Sequence, residues 1–322
     1  MTNEKKEEQK FRTSIGGQAL IEGILMRGPG KQAIVVRSPD GLVEKVEELR
    51  FVRDRYPILG LPILRGAVTF VDSMVKGVKA LMFSSDYFPE DGTEDEEPGK
   101  FELWLEKTFG NEKVEKLIVA LAVVLSLGMT ILLFFLLPTF LAGFVDPFIE
   151  SAAVHNLIES IIKLVIFMGY LILCSKQKDI QRVFQYHGAE HKTIFCYEAG
   201  LPLTVENCRI QPRHHPRCGT SFLFVVVVVS ILVSSVVFSF VDWRNMWVRM
   251  GLHLLLLVPI VGITYEFNRY VGRHDNPVTN FLAKPGLWLQ NFTTNEPDDS
   301  MLEVAIRALE LVIPEEKGKD EW

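Results

Sequence analysis

The stretch SFLFVVVVVSILVSSVVFSFV, residues 221 to 241, runs 21 residues without a charge. A helix needs about 20 apolar residues to cross a hydrocarbon layer, so this run reads as a membrane span. Three more runs of similar character lie around it. Val114 to Val145 has the uncharged body LIVALAVVLSLGMTILLFFLLPTFLAGFV, and Trp247 to about Tyr265 is interrupted only by Arg249 and His253. Leu157 to Cys174 is the fourth, with Glu159 and Lys163 near its start. One helical turn separates that pair, so they can meet, and Lys163 can also snorkel toward an interface. The sequence therefore predicts an α-helical polytopic membrane protein with four transmembrane helices.

Composition agrees with that reading. The chain has 322 residues, 48% of them hydrophobic, and a mean hydropathy of +0.19. Its amino terminus, MTNEKKEEQK, is charged and lacks the apolar core of a secretory signal. The connection between the second and third runs carries Lys176, Lys178, Arg182, Lys192, Arg209, Arg213 and Arg217, whereas DPFIESAAVHN, between the first two runs, has no Lys or Arg. Positive charge stays on the cytoplasmic side, so both termini and the central connection are expected there. Cys196, Cys208 and Cys218 then lie in a reducing compartment, which favours metal binding or burial over disulfides. A net charge of −6 offers no basic footprint for nucleic acid.

The expected organisation follows from these features. Residues 1–12 form a charged leader, and 13–85 a Gly-rich β-hairpin with an amphipathic helix. Residues 86–100 form an acidic linker, and 101–175 an interfacial approach and the first two spans. Residues 176–220 form the central loop, 221–270 the last two spans, and 271–322 a carboxy-terminal segment with a helix. The soluble parts are expected to assemble into a small mixed α/β cytoplasmic domain. In it, AIVVRS and LVEKVEEL flank the turn PDG. Gly16, Gly17, Gly23, Gly28 and Gly30 do not form a dinucleotide fingerprint and read as turns or close backbone approaches. In the 63–83 helix, Leu64, Val68, Val71, Val75, Val78 and Met82 share one face, suited either to the inner leaflet or to packing on protein. Near the end, Ser300 and Glu303 read as a capping box, with Asp298 and Asp299 at the positive end of the dipole. Leu302, Ala305, Ile306, Leu309 and Ile313 supply that helix's buried face.

The chemistry gathers in YHGAEHKTIFCYEAG, residues 186 to 200. His187 and His191, four apart on a helix, project from one face with Glu190 beside them. The H-x-x-E-H order is that of the reversed zinc proteases, in which the carboxylate takes a proton from the metal's water. Glu198 is a further carboxylate seven residues on. CRIQPRHHPRCGTSF then adds Cys208, His214, His215 and Cys218. All are donors zinc favours, although no C-x-x-C ribbon spacing occurs. Three readings stay open. Zinc on His187, His191 and one of His214, His215 or Cys218 would be catalytic, with Glu190 as base. Four ligands would make a closed structural brace. Without metal, the histidines would form a polar layer or meet lipid phosphates. Glu266 lies at the same depth, available to a metal or a ligand histidine, or else paired with Arg269 or Arg273.

Five motifs in order, GGQALIEGILMRGP, GLPILRG, YHGAEHKTIFCYE, HPRCGTSF and TTNEPDDSMLEVAI, make the chain similar to the YqhQ family of bacterial membrane proteins. The resemblance covers about Ser14 to Ile313 and implies a multi-pass inner-membrane protein of a kind commonly labelled a metal-dependent enzyme. Its motif positions fall here on His187, Glu190, His191, Cys196, His215, Arg217 and Cys218. The leading expectation is a cytosol-facing zinc-type site that hydrolyses an amide or ester bond in a membrane-associated substrate. The alternative is a non-catalytic factor for membrane-protein insertion or quality control, partnered with a translocon, protease or nascent chain. A transporter is third, because no internal repeat is evident.

Overall fold

The computed structural model describes residues 11–50, 56–88, 111–241, 245–274, 276–316 and 318–321, without the side chains of 111–117 and 119. Most of the charged leader, the acidic linker from residue 89 and the approach to the first span lie outside the described residues. The chain forms two compact units. One comprises Met1–Phe88, Ile172–Val226 and Val258–Trp322; the other comprises Pro89–Leu171 and Val227–Leu257.

The first unit opens with four antiparallel strands in sequential order, β1 (Gly16–Leu20), β2 (Gly23–Arg27), β3 (Lys31–Ser38) and β4 (Gly41–Glu48). The expected hairpin is β3–β4, closed where Ser38 pairs with Gly41, whose φ of 130° suits a residue without a Cβ. Two further strands extend it. The sequence of β2 and β3 is apolar without alternation because both faces of the sheet are covered. Ile24, Met26, Ala33 and Val35 face one core, shared with two helices, α5 (Lys178–Glu198) and α10 (Asp299–Glu310). Leu25, Ile34 and Val36 face the other, against Ala80 of helix α1 (Leu64–Ser85). Each such fully buried aliphatic side chain contributes about 1.5–3 kcal/mol. The free edge, β4, carries Glu44, Lys45, Glu47 and Glu48, which discourage pairing with another sheet.

Two sequence expectations shift here. Helix α1 docks through its small residues Gly66, Gly77, Ala80 and Ser84, while Leu64, Val71 and Val75 of the apolar stripe stay exposed. Gly66 meets Gly262 and Tyr265 of helix α8 (Met246–Arg273) so closely that a Cβ there would lie 2.7 Å from that of Tyr265. Helix α10 is capped by Asp298, whose carboxylate accepts from Met301 N–H at 3.0 Å. Ser300 instead donates to Asp298, and Glu303 pairs with Arg37.

Four helical stretches are long and apolar enough to cross a membrane: Ala120–Gly143, Ala152–Ser175, Gly219–Val237 and Met246–Arg273. The first joins helix α2 (Asn111–Ile131) to α3 (Leu137–Gly143) through a widened turn at Leu132–Leu136, next to Pro138. The others are α4 (Ala152–Ser175), α7 (Gly219–Val237) and α8. Within the second unit, Glu159 of α4 bonds Arg249 and His253 of α8, and Thr139 donates to the same carboxylate at 2.8 Å. The expected Glu159–Lys163 pairing gives way to this, and Lys163 sits over the Phe135 ring. A charge inside a span persists only when paired in this way. Helix α6 (Val205–Arg209) and helix α9 (Pro277–Thr293) complete the chain. Helix α9 falls within the expected carboxy-terminal segment and starts at an Asn276–Thr279 capping box.

Candidate metal centre

Helix α5 reads as polar, yet Tyr186 through Ile194 are all buried. A helix enclosed on every side needs a partner for each polar group, and distant segments supply most of them. His187 donates from Nδ1 to the Thr293 carbonyl at 2.8 Å, and His191 from Nδ1 to the Arg213 carbonyl at 2.6 Å. Both hydrogen bonds engage Nδ1 and leave Nε2 as the ring nitrogen available to the cluster, the usual arrangement of metal-ligating imidazoles. His187 Nε2 lies 3.1 Å from Cys218 Sγ. One ligand atom each from His187, His191 and Cys218 lie within 4.8 Å of one another, and this group can hold a metal ion.

The fit is chemical as well as geometric. Zinc bonds of about 2.0 Å to nitrogen and 2.3 Å to sulfur place tetrahedral donors roughly 3.5 Å apart. The buried His191 Nε2 and Glu190 Oε2 have no hydrogen-bond partner among the described residues. Burial pushes the Cys218 thiol up, but His187 and His191 beside it prevail and bring it well below the ordinary thiol range. Burial likewise opposes charge on His187, yet Cys218 wins and lifts it to about 9. The thiolate that a soft cation needs is thus favoured by the site itself. Glu190 shows the opposite balance. Burial holds its carboxyl above the usual range although both histidines pull it down. Its Oε1 accepts from Gly17 N–H at 2.9 Å.

The remaining sequence candidates fall outside this donor group, although the His215 ring lies 5.6 Å from that of His191. His215 is buried against Phe195 and faces Glu198, with Nε2 to Oε2 at 3.7 Å; burial brings it down to about 4, so it is neutral. His214 is only half-buried, beside Arg213. Cys208 and Cys196 sit together in the hydrophobic core, where burial pushes the Cys208 thiol up to about 12. Glu198 accepts from Arg217 and from Thr13 N–H, which makes it a brace between the loop and the segment before β1. Glu266 pairs with Arg65 of α1 and is not part of the cluster among the described residues.

Three contributors escaped the sequence reading. Gly17, read as a turn or a close backbone approach, is a close approach to Leu25, and its N–H also holds Glu190. Thr293 anchors His187 through its backbone, which no side-chain pattern announces. Gln290 accepts from His215 N–H and donates to the His215 carbonyl, both at 2.8 Å, and so clamps the segment that presents Cys218. Its only signal is a polar residue inside GLWLQNF.

Four apolar helices of spanning length and a buried His/His/Cys group together mark a membrane protein with a candidate metal centre. The chain belongs to the family described as "Protein of unknown function (DUF1385)", whose model matches residues 61–315. It is 35% identical over 308 residues, 94% of this chain and 92% of the relative, to "Uncharacterized protein YqhQ" of Bacillus subtilis (strain 168). No solved structure matches it.

Proposed function

We propose a zinc-dependent hydrolase of the bacterial inner membrane, with both termini and the site in the cytoplasm, that cuts an amide or ester bond in a membrane-associated substrate. The observation that carries this reading is the convergence of two backbone-anchored imidazoles and one thiol beside a buried carboxylate with a free oxygen. Three protein donors leave the fourth position of a tetrahedral ion for a reactant, as catalytic zinc sites do and structural ones do not. Zinc bound there supplies Lewis acidity and an acidified water. Gly17 N–H holds Glu190 Oε1, so Oε2 is the atom that takes the proton and returns it to the leaving group. A carboxyl raised by burial is suited to that exchange near neutral pH. The positive central connection supports the cytoplasmic assignment.

The near-complete burial of the donors favours one second reading. His187 and Cys218 are 9% exposed and His191 1%, which suits an ion that braces α5 to the start of α7 in a non-catalytic insertion or quality-control factor. Metal analysis of the purified chain and its Glu190→Gln variant, with membrane-partitioned ester and amide reporters, separates the two. The hydrolase reading expects about one zinc per chain in both proteins, and hydrolysis by the wild type alone. Zinc in both with hydrolysis by neither leaves the brace; no stoichiometric metal ends both readings.

A further inference from the structure

Within the first unit a cavity of about 650 Å³ lies between α1, the start of α7 and the end of α8, and Cys218 forms part of its wall. That volume falls within the range of roughly 300–1,000 Å³ typical of small-ligand sites. Phe70, Val78 and Phe222 line it, with Phe70 stacked on Phe222 at 5.6 Å. Met74, Leu81 and Leu223, also in the lining, are 46%, 41% and 46% exposed. The opening is therefore apolar at its rim, and Leu223 belongs to a helix of spanning length. A rim of that kind would face hydrocarbon rather than water.

The polar end has its own character. Arg217 and Arg269 both line the cavity. Arg217 is held by Glu198, and Glu266, one turn before Arg269, is taken by Arg65. Among the described residues Arg269 makes no ion pair, so a largely apolar lining contains an uncompensated cation. Apolar walls, an exposed apolar rim and a cation in the same lining as Cys218 match one ligand shape, a hydrocarbon chain that ends in an anionic head.

We infer that this cleft binds the acyl chain of an anionic membrane amphiphile, which enters sideways from the bilayer and brings its acyl ester or amide bond to the His187/His191/Cys218 site. Occupancy of the cleft is independent of the hydrolase reading; only the bond cut there rests on it. In that step water oxygen bonds to the acyl carbon and the acyl–oxygen or acyl–nitrogen bond breaks. The water proton passes through Glu190 to the departing atom, with no change of oxidation state.

The test uses the full-length, zinc-loaded chain in phosphatidylglycerol and phosphatidylethanolamine vesicles that contain phosphatidylglycerol with a diazirine in one acyl chain. Cross-links mapped by mass spectrometry are expected on Phe70, Val78 and Phe222. In Val78→Trp they should fall by about tenfold, the loss from excluding two methylene groups. Val71→Trp, on the exposed face of α1 outside the cleft, should leave them unchanged, and zinc content should hold in both variants. Cross-links that persist in Val78→Trp, or that appear only on span surfaces, overturn the inference. So does labelling of the cleft by an apolar diazirine peptide but not by the lipid. Cleft labelling without released fatty acid from the wild type removes the hydrolase reading and leaves the lipid site. Release of fatty acid without cleft labelling does the reverse.

Discussion

Gly16 and Gly17 are neighbours in sequence and strand, and alanine at each is expected to have opposite consequences. A Cβ at Gly17 would lie 2.7 Å from the Leu25 carbonyl oxygen, and 3.0 Å from both the Glu190 carboxyl carbon and Met26 Sδ. The backbone oxygen cannot rotate away, so β1 must move off β2 and α5 together. Overpacking of this kind costs about 1–3 kcal/mol. The same movement stretches the buried Gly17 N–H bond to Glu190, and losing a hydrogen bond to a charged group costs roughly 1.5–3 kcal/mol. The total is about 2.5–6 kcal/mol, or a fall of roughly 5–24 °C in melting temperature for a unit of about 200 residues. A Cβ at Gly16 meets nothing within 4 Å, and Gly16 is not among the glycines with positive φ. Gly16→Ala should then stabilise by about 0.4–1 kcal/mol through the unfolded chain. Cys196, Cys208 and Cys218 are buried, so a thiol-reactive dye in detergent reports unfolding of both variants. Equal melting temperatures for the two would refute the placement of β1 against Glu190.

Other outcomes follow from the same contacts. Arg249→Met strands Glu159 inside the second unit and should cost about 3–5 kcal/mol, with most of it recovered by adding Glu159→Gln, as a double-mutant thermal cycle would read. Gln290→Ala frees the segment before Cys218 and should weaken zinc binding by about tenfold or more in a competition titration. His214→Ala, outside the donor group, should leave that titration unchanged. Asp298→Ala should cost about 1 kcal/mol near pH 7 through its lost cap. Burial raises the Asp298 carboxyl, but the Ser300 hydroxyl and Met301 N–H outweigh it and hold it below the ordinary value of 3.8. Its contribution is therefore present above that value and disappears as pH falls through the lower folded one. The gap between wild type and variant should begin to close as pH falls below about 3.8 and vanish only below the lower folded value, and a constant gap would argue against the cap.

The spans and the β3–β4 hairpin were legible because each rests on local rules, an uncharged run of spanning length and a PDG turn between apolar strands. The pairing of β1 with β2 was hidden by glycines at 16, 17 and 23, which depress strand propensity while permitting close approach; Gly23 sits 2.6 Å, by its would-be Cβ, from the Val35 carbonyl. The apolar stripe of α1 left open a leaflet or a protein partner, and the small residues that dock the helix were not part of it. Near a bilayer, helices join through small residues and leave their large ones outward, as Gly66 and Val71 do here. Helix α9 was left inside an unassigned carboxy-terminal stretch, and it holds Pro277 and Pro285, a residue type that disfavours helix interiors. His214 and His215 were not separated by donor type, since the fate of His215 turns on Glu198 and Gln290, 17 and 75 residues away.

Helix α5 shows why the site cannot be read from its own motif. A segment that places His187, Glu190, His191 and Lys192 in the interior is unfavourable by composition, since each buried polar group without a partner costs about 1–3 kcal/mol. The partners come from β1, from the Arg213 segment and from α9, elements spread across the first unit's sequence. Lys192, for instance, donates to the Arg209 carbonyl at 2.8 Å and pairs with Glu296. Gly188 lets the Asn295 carbonyl cross the helix where any side chain would collide with it. These neighbours would be superfluous around a helix that served packing alone, because leucine and alanine at the same positions would need none of them. That the chain supplies anchors for both imidazoles, a donor for Glu190 Oε1 and a clamp for the segment of Cys218 is the argument that the four residues act as a unit.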